Sequence, residues 1–177
     1  MSNISSLSGR WLAVALAGPI LQGAILGLRS GPAAMLALAL GLPAVVAAVT
    51  LVTTPTLYVG GAVLGGRLSL GQVAAGTARA LQALGLAMLG LAPLSLLLAT
   101  TQALSAHNRF SLQVAGLVVV ALMIALHRLA AQLDAAAGEG KRTLAWHLLF
   151  AAQTAIAFIL GARFFTDLLA HAERVSS

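Results

Sequence analysis

Residues 33–66 read AAMLALALGLPAVVAAVTLVTTPTLYVGGAVLGG, and no Asp, Glu, Lys or Arg occurs anywhere between Arg29 and Arg67. A bilayer core is about 30 Å thick and takes roughly 20 apolar residues to cross as a helix. As one helix this run would be about 50 Å long at 1.5 Å per residue, longer than the core is thick. Pro43 and Pro55 sit inside it, and each removes an i→i−4 hydrogen bond. Two arrangements follow. Either one helix tilts and kinks, or the crossing ends by Thr54 and a second piece, Pro55–Gly66, runs on past the membrane face. The second is favoured because Thr53-Thr54-Pro55 is a natural break. The hydroxyl cluster Thr50, Thr53, Thr54 and Thr56 is expected to satisfy carbonyls freed by the proline.

The same scarcity of charge recurs along the chain. Arg79 to Arg109, Arg10 to Arg29, Arg109 to Arg128 and Arg142 to Arg163 bracket four more charge-free runs. The expected fold is all-α: a polytopic membrane bundle in one domain, 1–177, with spans at about 11–28, 33–54, 80–100, 110–132 and 144–163. Arg29-Ser30-Gly31-Pro32 reads as a tight turn whose proline opens the second helix. Ser69 can cap a helix running to about Thr100. Helices 2 and 3 then form a long hairpin, its tip at Gly65-Gly66-Arg67-Leu68 and projecting on the cytoplasmic side. Gly138-Glu139-Gly140 ends the fourth helix, and Phe164–Arg174 reads as an amphipathic continuation of the fifth. The first run, Trp11–Leu28, exceeds the roughly 7–15 residues of a cleavable signal core, so it is expected to be a retained span.

Composition narrows the function classes. At 60% hydrophobic and 8% charged, with mean hydropathy +0.99, the chain is far from a soluble domain, which is about 25% charged. Five spans leave no room for a soluble catalytic or nucleic-acid-binding domain. The net charge of +6 is therefore assigned to helix ends, where insertion and anionic headgroups favour basic residues. Zero cysteines exclude disulfides and thiolate metal sites. Arg10, Arg67, Arg79, Arg128, Lys141 and Arg142 fall on one side; Arg29, Arg109, Arg163 and Arg174 fall on the other. That bias predicts a cytoplasmic N-terminus and an external C-terminus.

Candidate sites are few. Gly23-x-x-x-Gly27 and Gly61-x-x-x-Gly65 have the small-xxx-small spacing that lets helix backbones approach closely. Packing inside the bundle is their expected use, with a dimer seam as the alternative. Arg163 and Asp167, four apart, are expected to form an interfacial ion pair ending the last span. Arg79 is either a lipid-headgroup contact or part of a partner surface. His107, His127, His147 and His171 show no i, i+4 metal-site spacing and read as interfacial histidines. Around Lys141, Ala135 and Arg142 stand where a phosphate-binding loop needs Gly and Ser or Thr, so that motif is rejected. Ser95 lies deep in the third span with no histidine at matching depth, which argues against an intramembrane serine protease. No span carries Asp, Glu or Lys at its centre, so a proton relay has no evident carrier.

Ala17-Gly18-Pro19, and Pro55-Thr56-Leu57-Tyr58-Val59 followed by Gly60-Gly61, carry a family likeness. With the five spans and long hairpin, the chain resembles the bacterial branch of the Yip1-like family of small membrane proteins. The resemblance implies a non-enzymatic role in membrane organisation or partner recruitment. Eukaryotic members are associated with small GTPases through a longer cytosolic N-terminal region, where this chain has only Met1–Arg10. The expected function is a non-catalytic scaffold or accessory subunit, without cofactor or metal. It would dock a partner through the hairpin residues Pro55, Tyr58, Arg67 and Arg79. The alternative is a transport or channel component working as an oligomer. Expected partners are other membrane proteins and anionic lipids, with a homo-oligomer left open and no nucleic acid. A bias to Ala, Leu, Gly and Arg with a single lysine points to a GC-rich bacterial genome, hence to a bacterial inner membrane.

Overall fold

The computed structural model describes residues 9–63, 69–101, 107–137 and 144–176. These form α1 (Gly9–Gly27), α2 (Pro32–Val63), α3 (Leu70–Thr101), α4 (His107–Ala137) and α5 (Leu144–Ser176). No strand occurs among the described residues. Long Ala- and Leu-rich runs favour helix intrinsically, and in an apolar surrounding a helix alone satisfies every backbone group within its own segment. Among the described residues, three helices are long and apolar enough to cross a membrane: α2, α3 and the Phe150–His171 part of α5. Leu12–Gly27 and Gly116–Ala131 are shorter apolar helical stretches among the described residues.

The ends of the elements follow local chemistry. Between α1 and α2 the Ser30 N–H donates to the Gly27 carbonyl at 3.0 Å. Gly31 then takes φ +102°, a left-handed conformation that costs glycine little. Pro32 follows at the first helical position, where its missing N–H is no loss, and the Met35 N–H reaches back to the Gly31 carbonyl at 2.9 Å. Ser69 opens α3 through a reciprocal cap. The Gln72 N–H donates to Ser69 Oγ at 3.2 Å, and the Ser69 N–H donates to Gln72 Oε1 at 2.8 Å.

The break expected at Thr53-Thr54-Pro55 is absent: α2 runs as one helix of 32 residues through both Pro43 and Pro55. Pro55 frees the Leu51 carbonyl. The threonines do not bond it. Thr50, Thr53, Thr54 and Thr56 instead donate to the carbonyls of Val46, Val49, Thr50 and Val52, each one turn back. Helix α5 lies along α2 on the N-terminal side of Pro55. Gln153 Nε2 donates to the Thr53 carbonyl at 2.9 Å, and Leu168 lies against Gly41.

Helix α1 is the centre of the packing. It lies against both α2 and α3, while α2 also packs on α5 and α3 on α4; α2 and α3 touch each other far less. At one end Ile25 and Leu26 of α1 join Ala34 and Leu38 of α2 and Ala92 and Ala99 of α3. In the middle, Leu84 and Met88 of α3 pack on Ala121 and Ala125 of α4. At the other end Leu57 of α2 meets Val73 and Ala80 of α3, Leu129 of α4 and the half-buried Phe150 of α5.

That last cluster places the described part of the helix 2–3 pair, whose expected tip, 65–68, lies outside the described residues. Leu57 lies six residues from the end of α2, Leu129 eight from the end of α4, and Phe150 six from the start of α5. At 1.5 Å per residue these ends reach about 9, 12 and 9 Å beyond the shared cluster. The described ends of these three helices therefore lie at similar heights. The apolar Leu57, Val73 and Ala80 find cover there in Leu129 and Phe150.

Candidate functional site

The closest backbone approaches define two seams on α1. Gly23 faces the Leu38 carbonyl, with Ala39 Cα 2.9 Å from where a Cβ would stand; Gly27 faces Met35, with the Ala34 carbonyl carbon at 2.7 Å. The Gly23-x-x-x-Gly27 pair thus lies on the α1–α2 contact. Gly61 is buried in α2, and Gly65 lies outside the described residues. The second seam was not legible as a motif, because its glycines belong to different helices. Gly18 of α1 faces Gly85 of α3, whose Cα would lie 2.8 Å from an added Cβ.

Polar groups in the interior are few and serve as ties. Gln22 on α1 is 1% exposed, and its Nε2 donates to the Met88 carbonyl of α3 at 3.0 Å. Gln153 is its counterpart between α5 and α2. Ser95 is fully buried and donates to the Leu91 carbonyl of its own helix at 3.2 Å. Gln22 Oε1 and Thr77 Oγ1 are buried without a hydrogen-bond partner. Neither glutamine was singled out from the sequence. A lone amide inside an otherwise apolar run was the available signal, since it must reach a partner once buried.

The two glutamines are expected to respond differently to leucine. Gln153→Leu removes a satisfied donor and should lower stability by about 0.5–1.5 kcal/mol. Gln22→Leu also removes an orphaned acceptor, whose burial costs about 1–3 kcal/mol, so it should be neutral or stabilising. Thermal unfolding of both variants in one detergent distinguishes them; equal losses would contradict the assignment.

The residues expected to face a partner are only partly gathered. Pro55, Tyr58 and Arg79 are all exposed, and Arg67 lies outside the described residues. Leu57 and Ala80 share one cluster, so their sequence neighbours Tyr58 and Arg79 sit at the same level of the bundle. Arg163 and Asp167 are both exposed one turn apart on α5, and no ion pair joins them among the described residues. An exposed pair at this spacing contributes only about 0.3–0.5 kcal/mol, too little to hold two long side chains in one geometry. No group of three or more His, Cys, Asp or Glu side chains arranged to hold a metal occurs among the described residues.

Comparison with known protein families, with curated proteins and with solved structures finds no match to this chain.

Proposed function

We propose that the chain is an integral membrane protein of five spans that acts as a non-catalytic scaffold or accessory subunit. The observation that carries this reading is the apolar outer surface. Leu36, Leu51 and Val63 on α2 are 62%, 76% and 80% exposed, and α3, α4 and α5 present Leu97, Met123 and Ile159 in the same way. Contiguous apolar surface on this scale calls for lipid or protein around it. The buried Gln22 and Gln153 tie helices together by donating to main-chain carbonyls, and Ser95 donates to a carbonyl of its own helix, the pattern of a bundle built to hold its shape. The setting proposed is a bacterial inner membrane with a cytoplasmic N-terminus and an external C-terminus, on the balance of basic residues between the two sides.

Partner docking is proposed for the end of the bundle carrying Pro55, Tyr58, Arg67 and Arg79. Tyr58 is an amphipathic ring and Arg79 a planar cation, residue types enriched at protein interfaces. Substituting Tyr58, Arg67 and Arg79 together by alanine should abolish co-purification of a membrane partner in mild detergent while leaving the amount of chain in the membrane unchanged. Retention of every partner would defeat the docking claim. Solute flux through vesicles containing this chain alone would favour a transport role over the scaffold.

A further inference from the structure

Close contacts fix the height of each helix against the next. Helix α1 has 19 residues and is about 28 Å long, close to the thickness of a bilayer core. Its Gly27 faces Met35 of α2 and its Gly23 faces Leu38, so the two ends of α1 fall at the levels of Met35 and Thr53. Helix α2 carries this scale to α5. Gln153 reaches the Thr53 carbonyl, and Leu168 lies against Gly41. Arg163 stands between these two contacts, about 15 Å from the level of Thr53 and about 17 Å from that of Met35. Asp167 is one turn nearer Met35. Other arginines keep to the two faces. Arg29 follows Gly27, and Arg174 lies six residues beyond Leu168, near the Met35 level. Gly18 against Gly85 puts Arg79 within a turn of the opposite face, and Arg128 adjoins Leu129, which shares a cluster with Ala80.

Between those faces an ionised side chain is costly and is met by protein, water or an opposite charge. Arg163 and Asp167 are both exposed, on the side of α5 turned away from Gln153 and Leu168. Neither makes an ion pair or a side-chain hydrogen bond among the described residues. Base before acid is also the weaker order for pairing along one helix. The short stem of Asp167 cannot lift its carboxylate about 10 Å to the nearer face. Charge pattern selects what covers them. One base and one acid on a single outward stripe are self-complementary. A two-fold axis along the membrane normal sets Arg163 toward the partner's Asp167 and Asp167 toward the partner's Arg163. The one-turn offset, about 5.4 Å, suits the long arginine stem. Ile156 and Ile159, 45% and 64% exposed, continue the same stripe and supply apolar contact.

We infer that the Arg163–Asp167 face of α5 is an interface between two copies of this chain inside the membrane, closed by reciprocal ion pairs. This rests on the membrane-spanning reading above. The chain has no cysteine, so the test places one at Ile159 or, as control, at Leu40 on the outer face of α2, with the full chain in vesicles of phosphatidylethanolamine and phosphatidylglycerol. Oxidation is expected to link several-fold more dimer through Ile159→Cys than through Leu40→Cys. With Ile159→Cys present, Arg163→Asp or Asp167→Arg alone should lose the dimer. Differently tagged copies of these two variants, produced together, should regain it as mixed dimers, because each supplies the charge the other lacks. An ion pair confined to one chain gives no recovery on mixing. Equal linkage at the two cysteines, or no recovery in the mixture, overturns the inference. So does a different membrane protein linked to Ile159→Cys in place of the dimer. Labelling of reduced Ile159→Cys by a membrane-impermeant maleimide also overturns it, by putting water at this face. An alkaline carbonate wash separates this failure from failure of the membrane reading: a chain that stays in the pellet as a monomer loses only the interface.

Discussion

Gly23→Leu is expected to lower stability by about 3 kcal/mol, the upper end of what overpacking costs. A Cβ at this position would collide with the Leu38 carbonyl and stand 2.9 Å from Ala39 Cα. Both obstacles are backbone, so no side chain can swing away. Nor can α2 retreat freely, since α5 lies on another side of it, tied through Gln153 and packed at Leu168. The seam must open instead, and with it the cluster of Ile25, Leu26, Ala34 and Leu38. Gly90→Leu is the control: no neighbouring atom lies within 4 Å of its added Cβ. That change should be neutral or gain up to about 0.8 kcal/mol from helix propensity. Thermal unfolding in detergent, comparing the two variants with the parent, measures the difference. Equal Tm values would show that the α1–α2 contact is not made.

Gly85→Leu should cost a similar amount but through the other side of α1. Its Cβ would collide with the Val14 carbonyl and lie 2.8 and 2.9 Å from Ala15 Cα and carbonyl oxygen. Pro19 lies four residues after Ala15 and has no N–H to give that carbonyl, so the oxygen is free to sit against a neighbouring backbone. Gly85 presents a Cα–H at that spot, a weak donor that a larger residue would push away. The two variants are expected to fail differently. The chain has no cysteine of its own, so one engineered cysteine pair across α1–α2 and another across α1–α3 report each seam separately. Gly23→Leu should abolish the first cross-link and spare the second, and Gly85→Leu should do the reverse. Loss of both cross-links in both variants would mean that α1 leaves the bundle as a unit.

Helix positions were legible because their cause is one-dimensional. Charge-free runs closed by Arg29, Arg109 and Arg163 mark apolar segments whatever their neighbours do. Ser69 with Gln72, and Gly31 before Pro32, mark helix starts through contacts within a few residues. The Gly23-x-x-x-Gly27 spacing was visible for the same reason, since both glycines lie on one face of one helix. The course of α2 through Pro55 was not, and neither was its packing on α5, a helix that begins almost ninety residues later. Gly18 with Gly85 was hidden for the same reason, and so was Gln22 with the Met88 carbonyl, 66 residues apart. The cover that Leu57, Val73 and Ala80 find in α4 and α5 was hidden as well, since those helices lie far along the chain.

By itself the sequence determined an all-helical chain, the approximate positions of its helices and a predominance of apolar side chains, all of which depend on residue type and local spacing. The tertiary structure alone decided that α1 lies between α2 and α3, that α2 stays whole, and at what height α5 lies along it. The physical reason is that apolar side chains are interchangeable as solvent-avoiding surface but not as shapes. Which helix a leucine-rich face meets is settled by where a missing Cβ lets two backbones touch, and that requires both partners to be in place.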